Sequence, residues 1–168
     1  MSMTILEELG IAEELIQRRG LPLHAEESDL ILAETQQDGR TFLLTPATAQ
    51  AWHAMKRQAS IDGIDLVMIS AFRSVERQAS IIRDKLAEGC EVNAILEVCA
   101  PPGYSEHHTG RAIDIASIDD PHLEIRFELT PTFHWLQEHA GQFGFSMSYP
   151  RENPFGFQYE PWHWCFRP

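Results

Sequence analysis

The sequence predicts an α+β fold in which helices flank a central, mostly antiparallel sheet. Most segments with helical periodicity come in the first hundred residues, and most short apolar segments typical of strands come late. Elements segregated in this way favour α+β over a fold of alternating strands and helices. The length of 168 residues suits one domain with a sizeable core, so we expect a single domain over residues 1–168.

The N-terminal part is predicted to begin with a helix and then to become extended. Apolar side chains at helical spacing predict one helix over about residues 4–18, which Gly20 ends. Residues 21–44 are predicted to be extended. Asp38-Gly39 lies between two short apolar runs of this region, and that pattern predicts a β-hairpin.

The middle of the chain is predicted to be helical around one buried strand. Thr45 before Pro46 predicts a helix start, because Thr caps a helix N-terminus and Pro suits the first helical position. The predicted elements are a helix from Thr45-Pro46 to Asp62-Gly63, a strand over 65–71, a helix from its cap Ser74 to about Glu88, and a short helix over 91–99.

The C-terminal part carries most of the predicted strands. Polar residues over 117–129 predict a surface segment, and Thr130-Pro131 repeats the helix-start pattern. The other predicted elements are a strand over 112–116, a helix ending at about residue 142, a strand over 145–149, a turn over 150–156, and a last strand over 157–166.

Composition and charge exclude several functional classes. The chain is 43% hydrophobic and 23% charged, which is ordinary for a globular protein, and its net charge is -12. Binding to nucleic acid or to anionic lipid needs clustered Lys and Arg, so we predict neither. The chain lacks the ~18 to 20 apolar residues in succession that a membrane helix requires, so we expect no membrane insertion.

The N-terminal residues and the cysteines bear on the compartment. The first residues lack a cationic start followed by an apolar run, so we predict no signal peptide and expect the chain as written to be cytoplasmic. A location in the cell envelope would follow if the chain is exported or truncated. Three cysteines without a Cys-x-x-Cys pair argue against a disulfide framework. Cys165 lies two residues after His163, and in a strand the two would share a face.

Two short motifs about fifty residues apart contain the residue types of a catalytic zinc site. The first runs from Ser105 to Asp114, and the second is Glu160-Pro161-Trp162-His163. Catalytic zinc typically has three protein ligands, for which nitrogen and carboxylate oxygen are suitable donors, and an open position for water. A carboxylate beside such a site can take the proton from that water.

Spacing permits these residues to converge but does not by itself select zinc. His107 and Asp114 are seven residues apart, and a turn at Gly110 would let the first lie on a loop and the second on a strand. Pro161 favours a bulge or a sheet edge, so the two ionisable residues of the second motif could also converge.

The remaining histidines and Trp162 are predicted to have other roles. His108 must point away from His107, and we predict it at the rim of the site or behind a metal ligand. Trp162 is predicted to pack in the core, close enough to shape the pocket. The histidines predicted to be surface or capping residues are His24, His53, His122, His134 and His139.

Both motifs resemble those of the VanY-type D-alanyl-D-alanine carboxypeptidases, zinc peptidases that share a fold with hedgehog signalling domains. The matching residues are Ser105-x-His107-x-x-Gly110-x-Ala112-x-Asp114 and Glu160-Pro161-Trp162-His163. Arg73-Ser74 with Gln78 resembles the family's Arg-Ser-x-x-x-Gln segment. The resemblance covers about residues 45–166, which form the motif-bearing core, and the joint occurrence of both motifs is specific.

The resemblance implies a hedgehog/DD-peptidase-like fold, Zn²⁺ as cofactor, and a peptidoglycan stem peptide or muropeptide as substrate. Arg73 would grip the substrate's carboxylate or polarise the scissile carbonyl. The implied roles are zinc ligation by His107, Asp114 and His163, acid–base catalysis by Glu160, substrate binding and catalysis by Arg73, and orientation of the substrate or of the ligands by Ser105 and Gln78.

The implied activity is hydrolysis of the terminal D-Ala-D-Ala amide bond of the stem peptide. Two alternatives stay open: an endopeptidase or L,D-carboxypeptidase of the same zinc family, and a non-catalytic, zinc-stabilised binding module. Glu160 separates the enzymes from the binding module, since a binding module needs no carboxylate at the metal. Family members often have Arg two places after the last His. Cys165 stands there in this chain, which bears on substrate preference more than on metal binding.

Overall fold

The structure is a computed structural model that describes residues 3–168, and it has the predicted α+β fold. The helices are α1 (Ile5–Glu8), α2 (Glu13–Arg19), α3 (Pro46–Ile61), α4 (Val75–Ala87), α5 (Val92–Val98) and α6 (Pro131–His139). The strands are β1 (Ile31–Thr35), β2 (Thr41–Leu44), β3 (Leu66–Ser70), β4 (Ala112–Ser117), β5 (Phe145–Met147) and β6 (His163–Phe166). Short 3-10 helices span Glu106–Thr109, Ile125–Leu129 and Ala140–Phe143.

An antiparallel sheet with the strand order β3-β4-β6-β5 forms the centre of the fold. Its strand β4 is buried along its whole length. Ile113 and Ile115 belong to a core that also contains Trp52 of α3 and Leu136 of α6. Because successive side chains of a strand alternate between its faces, Asp114 points to the opposite face, away from this core.

The predicted hairpin around Asp38-Gly39 is confirmed as the antiparallel pair β1–β2. The Gln36 side chain donates a hydrogen bond to the Met68 carbonyl of β3, at 2.6 Å. The Phe72 backbone N–H donates to the Leu43 carbonyl, at 3.0 Å. The hairpin therefore lies against the outer edge of β3.

The prediction of one helix over residues 4–18 is wrong, because the chain breaks between α1 and α2. Gly10 lies in this break with a φ of 67°, in the left-handed region. Leu9 and Ile11 on either side are buried in a second apolar core with residues of α4 and α5. Tertiary packing of this pair outweighs the helical preference of the surrounding residues.

The prediction of a last strand over 157–166 is wrong in its first half, since β6 begins only at His163. The Asn153 side chain donates to the Phe157 carbonyl at 2.7 Å, and the Glu160 N–H donates to the Tyr149 carbonyl at 3.0 Å. These bonds hold the segment in an irregular path in place of a sheet ladder. Glu160 therefore precedes the strand.

Smaller differences concern the neighbouring elements. The surface segment predicted over 117–129 includes a 3-10 helix whose Phe127 is buried. The helix predicted to end at about residue 142 ends as α6 at His139 and continues as a 3-10 helix to Phe143. Within residues 3–168, no helix combines the length and the apolar character that crossing a membrane requires.

We predict that Gly110, which ends the 3-10 helix Glu106–Thr109, cannot be replaced by a residue with a side chain without loss of stability. It has a φ of 64°, and a Cβ there would lie 2.6 Å from Leu30 Cδ2 and 3.3 Å from the Thr45 nitrogen. We expect Gly110→Ala to lower the free energy of unfolding by about 2 to 4 kcal/mol, since backbone strain and overpacking add. Urea denaturation measures this change.

Gly20→Ala is the matched control for this prediction. Gly20 has a φ of 60°, but a Cβ there would have no described atom within 4 Å. This variant should lose only the ~1 kcal/mol of left-handed backbone strain. Equal losses in the two variants would contradict the packing argument.

Candidate active site

Three buried side chains from different elements meet on the sheet face that carries Asp114. His107 lies on the 3-10 helix Glu106–Thr109, Asp114 on β4, and His163 at the start of β6. The register of β4 and β6 places Asp114 directly opposite His163. One ligand atom from each of the three lies within 4.8 Å of the other two. The structure thus brings together the three residues that the sequence predicts as metal ligands.

Each imidazole turns one nitrogen toward Asp114 and the other toward a separate acceptor. His107 Nε2 lies 3.2 Å from Asp114 Oδ2, and its Nδ1 donates to the Ala71 carbonyl at 2.7 Å. His163 Nδ1 lies 3.0 Å from Asp114 Oδ1, and its Nε2 is 2.9 Å from Glu106 Oε2. The two rings are nearly perpendicular, at 85°.

This arrangement fits a divalent metal ion such as zinc. Metal-bound histidines usually donate their outer N–H to a carbonyl or a carboxylate, as His107 and His163 do here. Two nitrogens and one carboxylate oxygen form a donor set that catalytic zinc sites use. Burial alone would lower the pKa of His163, but its hydrogen bonds to Asp114 and Glu106 raise it to about 10. A cation bound between these groups would replace that proton.

Glu106 contacts the trio from behind His163, a position that the sequence analysis missed. Burial acts to raise its pKa, but hydrogen bonds from His163 and Ser148 and the charge of Arg167 lower the pKa to about 2. Ser148 Oγ donates to its Oε2 at 2.5 Å, and Arg167 Nη2 donates to its Oε1 at 2.6 Å. An acidic residue within the first motif was the available signal, but nothing in the sequence showed that it faces His163.

Glu160 stands beside the trio without being part of it. Its Oε2 is 3.8 Å from His163 Nδ1. Burial is the main reason that the pKa of this carboxyl is raised to about 7. The charges of Asp114 and Glu106 act in the same direction, whereas His163 and Arg73 oppose them. A carboxyl with such a pKa can both accept and release a proton near neutral pH.

Arg73 enters the same cleft from the end of β3. Its guanidinium donates to Gln78 Oε1 at 2.8 Å and to Ser70 Oγ at 3.0 Å. Within the described residues 3–168, no carboxylate forms an ion pair with it. Gln78 is buried, and its Nε2 donates to the Ala100 carbonyl at 2.7 Å. Gln78 thus fixes the orientation of the guanidinium. The N–H groups that do not bond to Gln78 or Ser70 remain available to an anion.

All the sequence-predicted site residues line one cleft of about 220 Å³. Ser105 contributes to its wall, and Ser105 Oγ accepts a hydrogen bond from the His107 N–H at 3.3 Å. Trp162 also lines the cleft and packs against the core of the sheet. The residues brought together are Arg73, Gln78, Ser105, His107, Asp114, Glu160 and His163.

His108 and Cys165 have supporting positions. The sequence predicts His108 at the rim of the site or behind a metal ligand, and the first alternative is wrong, since its side chain is fully buried. Its Nδ1 donates to the Arg73 carbonyl at 2.6 Å, and its Nε2 accepts from the Gly103 N–H. Cys165 is buried, and burial together with the charge of Glu106 raises the pKa of its thiol to about 12. A thiol with this pKa stays protonated at neutral pH.

The family model described as VanY, D-alanyl-D-alanine carboxypeptidase, matches residues 41–168. Among curated proteins, YodJ of Bacillus subtilis (strain 168) is 33% identical over 150 residues. The match covers 85% of this chain and 55% of YodJ. The chain therefore spans about half the length of this relative.

Two solved structures have the same fold. The LdcB LD-carboxypeptidase, solved for its peptidoglycan recognition, has a TM-score of 0.75 and 30% identity, over 86% of this chain and 71% of LdcB. A mutant of the vancomycin resistance D,D-pentapeptidase VanY in complex with Zn(II) has a TM-score of 0.66 and 26% identity. That match covers 88% of each chain.

Loss of the Glu106 charge should weaken metal binding. Glu106→Gln keeps the size of the side chain but removes the anion behind His163 and the ion pair with Arg167. We expect the affinity for Zn²⁺ to fall about 10- to 100-fold, the usual effect of losing a partner behind a ligand. Arg167→Gln leaves the carboxylate in place and should cost less than about tenfold. Competition with a chromophoric chelator measures both affinities.

Arg40→Gln is the control, because it removes an exposed ion pair with Asp38 in the hairpin turn. It should bind Zn²⁺ as the wild type does. Unchanged Zn²⁺ affinity in Glu106→Gln would mean that Glu106 does not support the metal site.

Proposed function

The chain belongs to the VanY family of D-alanyl-D-alanine carboxypeptidases, and on that premise we propose that it is a zinc peptidase that removes the terminal D-Ala of peptidoglycan stem peptides. One observation carries the proposal: Glu160, a mostly buried carboxyl with a raised pKa, lines the same cleft as a His-Asp-His trio and the guanidinium of Arg73, which has no carboxylate partner among the described residues. A peptide carbonyl, a water molecule and a terminal carboxylate each have a partner in that arrangement.

His107, Asp114 and His163 would hold the zinc ion through Nε2, a carboxylate oxygen and Nδ1 respectively. Bound zinc supplies Lewis acidity, which polarises a carbonyl and acidifies water. Ala71 and Glu106 fix the two imidazoles from behind by accepting their outer N–H groups. The ring orientations are therefore set by the protein.

Glu160 would act as the acid–base group of hydrolysis. A neighbouring cation favours the ionised carboxylate, so metal binding prepares Glu160 to accept the proton of the attacking water. Its burial then makes the protonated form accessible, and the proton can pass to the leaving amine. The same carboxyl thus serves both halves of the reaction.

Arg73 would bind the terminal carboxylate of the substrate or stabilise the charge on the scissile carbonyl oxygen. Its planar guanidinium can donate two parallel bonds to a carboxylate, which an ammonium group cannot. Gln78 orients the guanidinium, and Ser105 caps the turn that carries His107. These contacts support both roles without selecting one.

A second candidate function is L,D-carboxypeptidase activity, which the similarity to LdcB favours. The candidate activities can be distinguished by incubating the zinc-loaded protein with a muramyl-pentapeptide and a muramyl-tetrapeptide and measuring the product masses. Loss of one alanine from the pentapeptide supports the leading proposal, and loss of one alanine from the tetrapeptide alone supports the second. Release of larger fragments indicates an endopeptidase, and no cleavage favours a zinc-stabilised binding module.

Glu160→Gln is expected to abolish catalysis while leaving the metal site intact. The amide keeps the size of the side chain but cannot accept a proton, so hydrolysis should fall by about 10²- to 10⁴-fold. In the wild type, kcat/KM should fall as the pH drops and Glu160 becomes protonated. Zinc content and the circular dichroism spectrum should match the wild type.

The exposed Glu138 of α6 gives the control, Glu138→Gln, which should keep full activity. Near-normal activity in a zinc-replete Glu160→Gln protein would refute the acid–base role. Loss of zinc from that variant would instead identify Glu160 as a ligand.

Arg73→Lys should behave more like Arg73→Ala than like the wild type, because the bidentate contact with a carboxylate is lost. If Arg73 binds the terminal carboxylate, both variants should lose activity mainly on peptides with a free C-terminus. Peptides with an amidated C-terminus, which we expect to be poor substrates of the wild type, should be affected less. Unchanged kinetics in Arg73→Ala would remove Arg73 from the site.

A further inference from the structure

A second cavity, of about 510 Å³, continues the cleft that contains the metal trio. Neither Arg73 nor any of the three candidate metal ligands lines it. The residues that line both cavities are Lys85, Val98, Leu123, Glu160 and Trp162. The two cavities therefore form one groove, which begins at Arg73, passes Glu160 and runs on toward the 3-10 helix Ile125–Leu129.

The shared wall of the groove suits a peptide backbone with small side chains. Val98, Leu123 and Trp162 give it an apolar surface, although Val98 is 45% exposed to solvent. With the scissile bond beside Glu160 and the C-terminus at Arg73, the second cavity receives the part of the substrate upstream of the bond. Near the scissile bond the stem peptide offers only the methyl groups of two alanines, which suit this apolar wall.

Lys85 is a cation of the groove that pairs with no described carboxylate, although Glu124 and Glu160 line the same cavity. Within residues 3–168, no carboxylate forms an ion pair with its ammonium group, and no hydrogen bond from that group is present. The other cation of the second cavity, Arg126, differs in this respect, because it pairs with Asp120 at 2.8 Å and with Glu124 at 3.2 Å. Although the chain carries a net charge of -12, an unpaired Lys inside a groove attracts an anion locally.

The spacing of Gln78 and Lys85 along α4 gives an approximate measure of how far upstream that anion lies. Lys85 follows Gln78, the partner of Arg73, by seven residues on α4, which corresponds to ~10 Å along the helix axis. An extended peptide covers about 3.3 to 3.6 Å per residue, so ~10 Å is about three residues. A substrate with its C-terminal carboxylate at Arg73 thus brings its third residue from the C-terminus, or the one before it, near Lys85.

We propose, on the basis of the proposed peptidase function, that Lys85 binds a second carboxylate of the substrate, carried upstream of the scissile bond. Stem peptides offer two such groups. One is the free α-carboxylate of a γ-linked D-Glu at the second position, and the other is the side-chain carboxylate of diaminopimelate at the third. Lys85 makes the groove selective for the acidic forms over their amidated or Lys-containing counterparts.

Four synthetic pentapeptides ending in D-Ala-D-Ala test this selectivity. They combine D-Glu or D-isoglutamine at the second position with diaminopimelate or Lys at the third. We expect the zinc-loaded wild type to have a lower KM for the peptides with the recognised carboxylate. Lys85→Gln should raise KM for those peptides by about three- to tenfold, the range for a partly exposed ion pair, and so remove the preference.

Arg77→Gln is the matched control, because Arg77 is exposed on the same helix, lies outside both cavities, and the substitution removes the same charge. It should keep the wild-type preference. A preference that follows the second position identifies the D-Glu carboxylate, and one that follows the third identifies diaminopimelate. Equal KM values for all four peptides in the wild type, or an unchanged preference in Lys85→Gln, would overturn the proposal.

Calorimetric binding of the same peptides to zinc-loaded protein separates this inference from the proposed function. If no peptide is hydrolysed, the proposed function fails, and calorimetry still decides the role of Lys85. Weaker binding of the acidic peptides by Lys85→Gln than by Arg77→Gln supports the role. Equal affinities in the two variants overturn it.

Discussion

The sharing of one buried carboxylate between two imidazoles is the constraint on which the site depends. Asp114 accepts a hydrogen bond from His163 Nδ1 and lies 3.2 Å from His107 Nε2, on a strand that is buried throughout, where an unpaired charge would cost several kcal/mol. The β4–β6 register brings Asp114 and His163 together, so the sheet itself positions two of the three groups. Any slip of one residue would turn one of them to the opposite face.

The second support is a reciprocal set of bonds between the end of β3 and the turn of the first motif. Ala71 accepts from the His107 ring, the His107 carbonyl accepts from the Arg73 N–H, and the Arg73 carbonyl accepts from the His108 ring. The proposed metal ligand His107 and the backbone of Arg73, whose guanidinium is proposed to bind substrate, are thereby held by the same few bonds. Catalysis by positioning needs fixed distances of this kind, and here they do not depend on a flexible loop.

The sequence could predict what local chemistry determines. The Thr45-Pro46 and Thr130-Pro131 helix starts and the Asp38-Gly39 hairpin are confirmed, because capping and turn residues act over a few positions. The convergence of His107, Asp114 and His163 could be predicted only through the resemblance of both motifs to the family, because their spacing merely permits it. The break at Gly10, the irregular path before His163, and the contact of Glu106 with Arg167 could not, because each depends on partners far along the chain.

The hairpin β1–β2 also bears on how the molecule behaves among its copies. A strand at the edge of a sheet offers free N–H and C=O groups to other chains, and proteins usually cover or shorten such edges. Gln36 occupies the Met68 carbonyl on the outer edge of β3, and the strand at the opposite edge, β5, has only three residues. The hairpin therefore covers one edge of the sheet that carries the site, and the other edge strand is short. Both features disfavour strand pairing between molecules and the aggregation that follows from it.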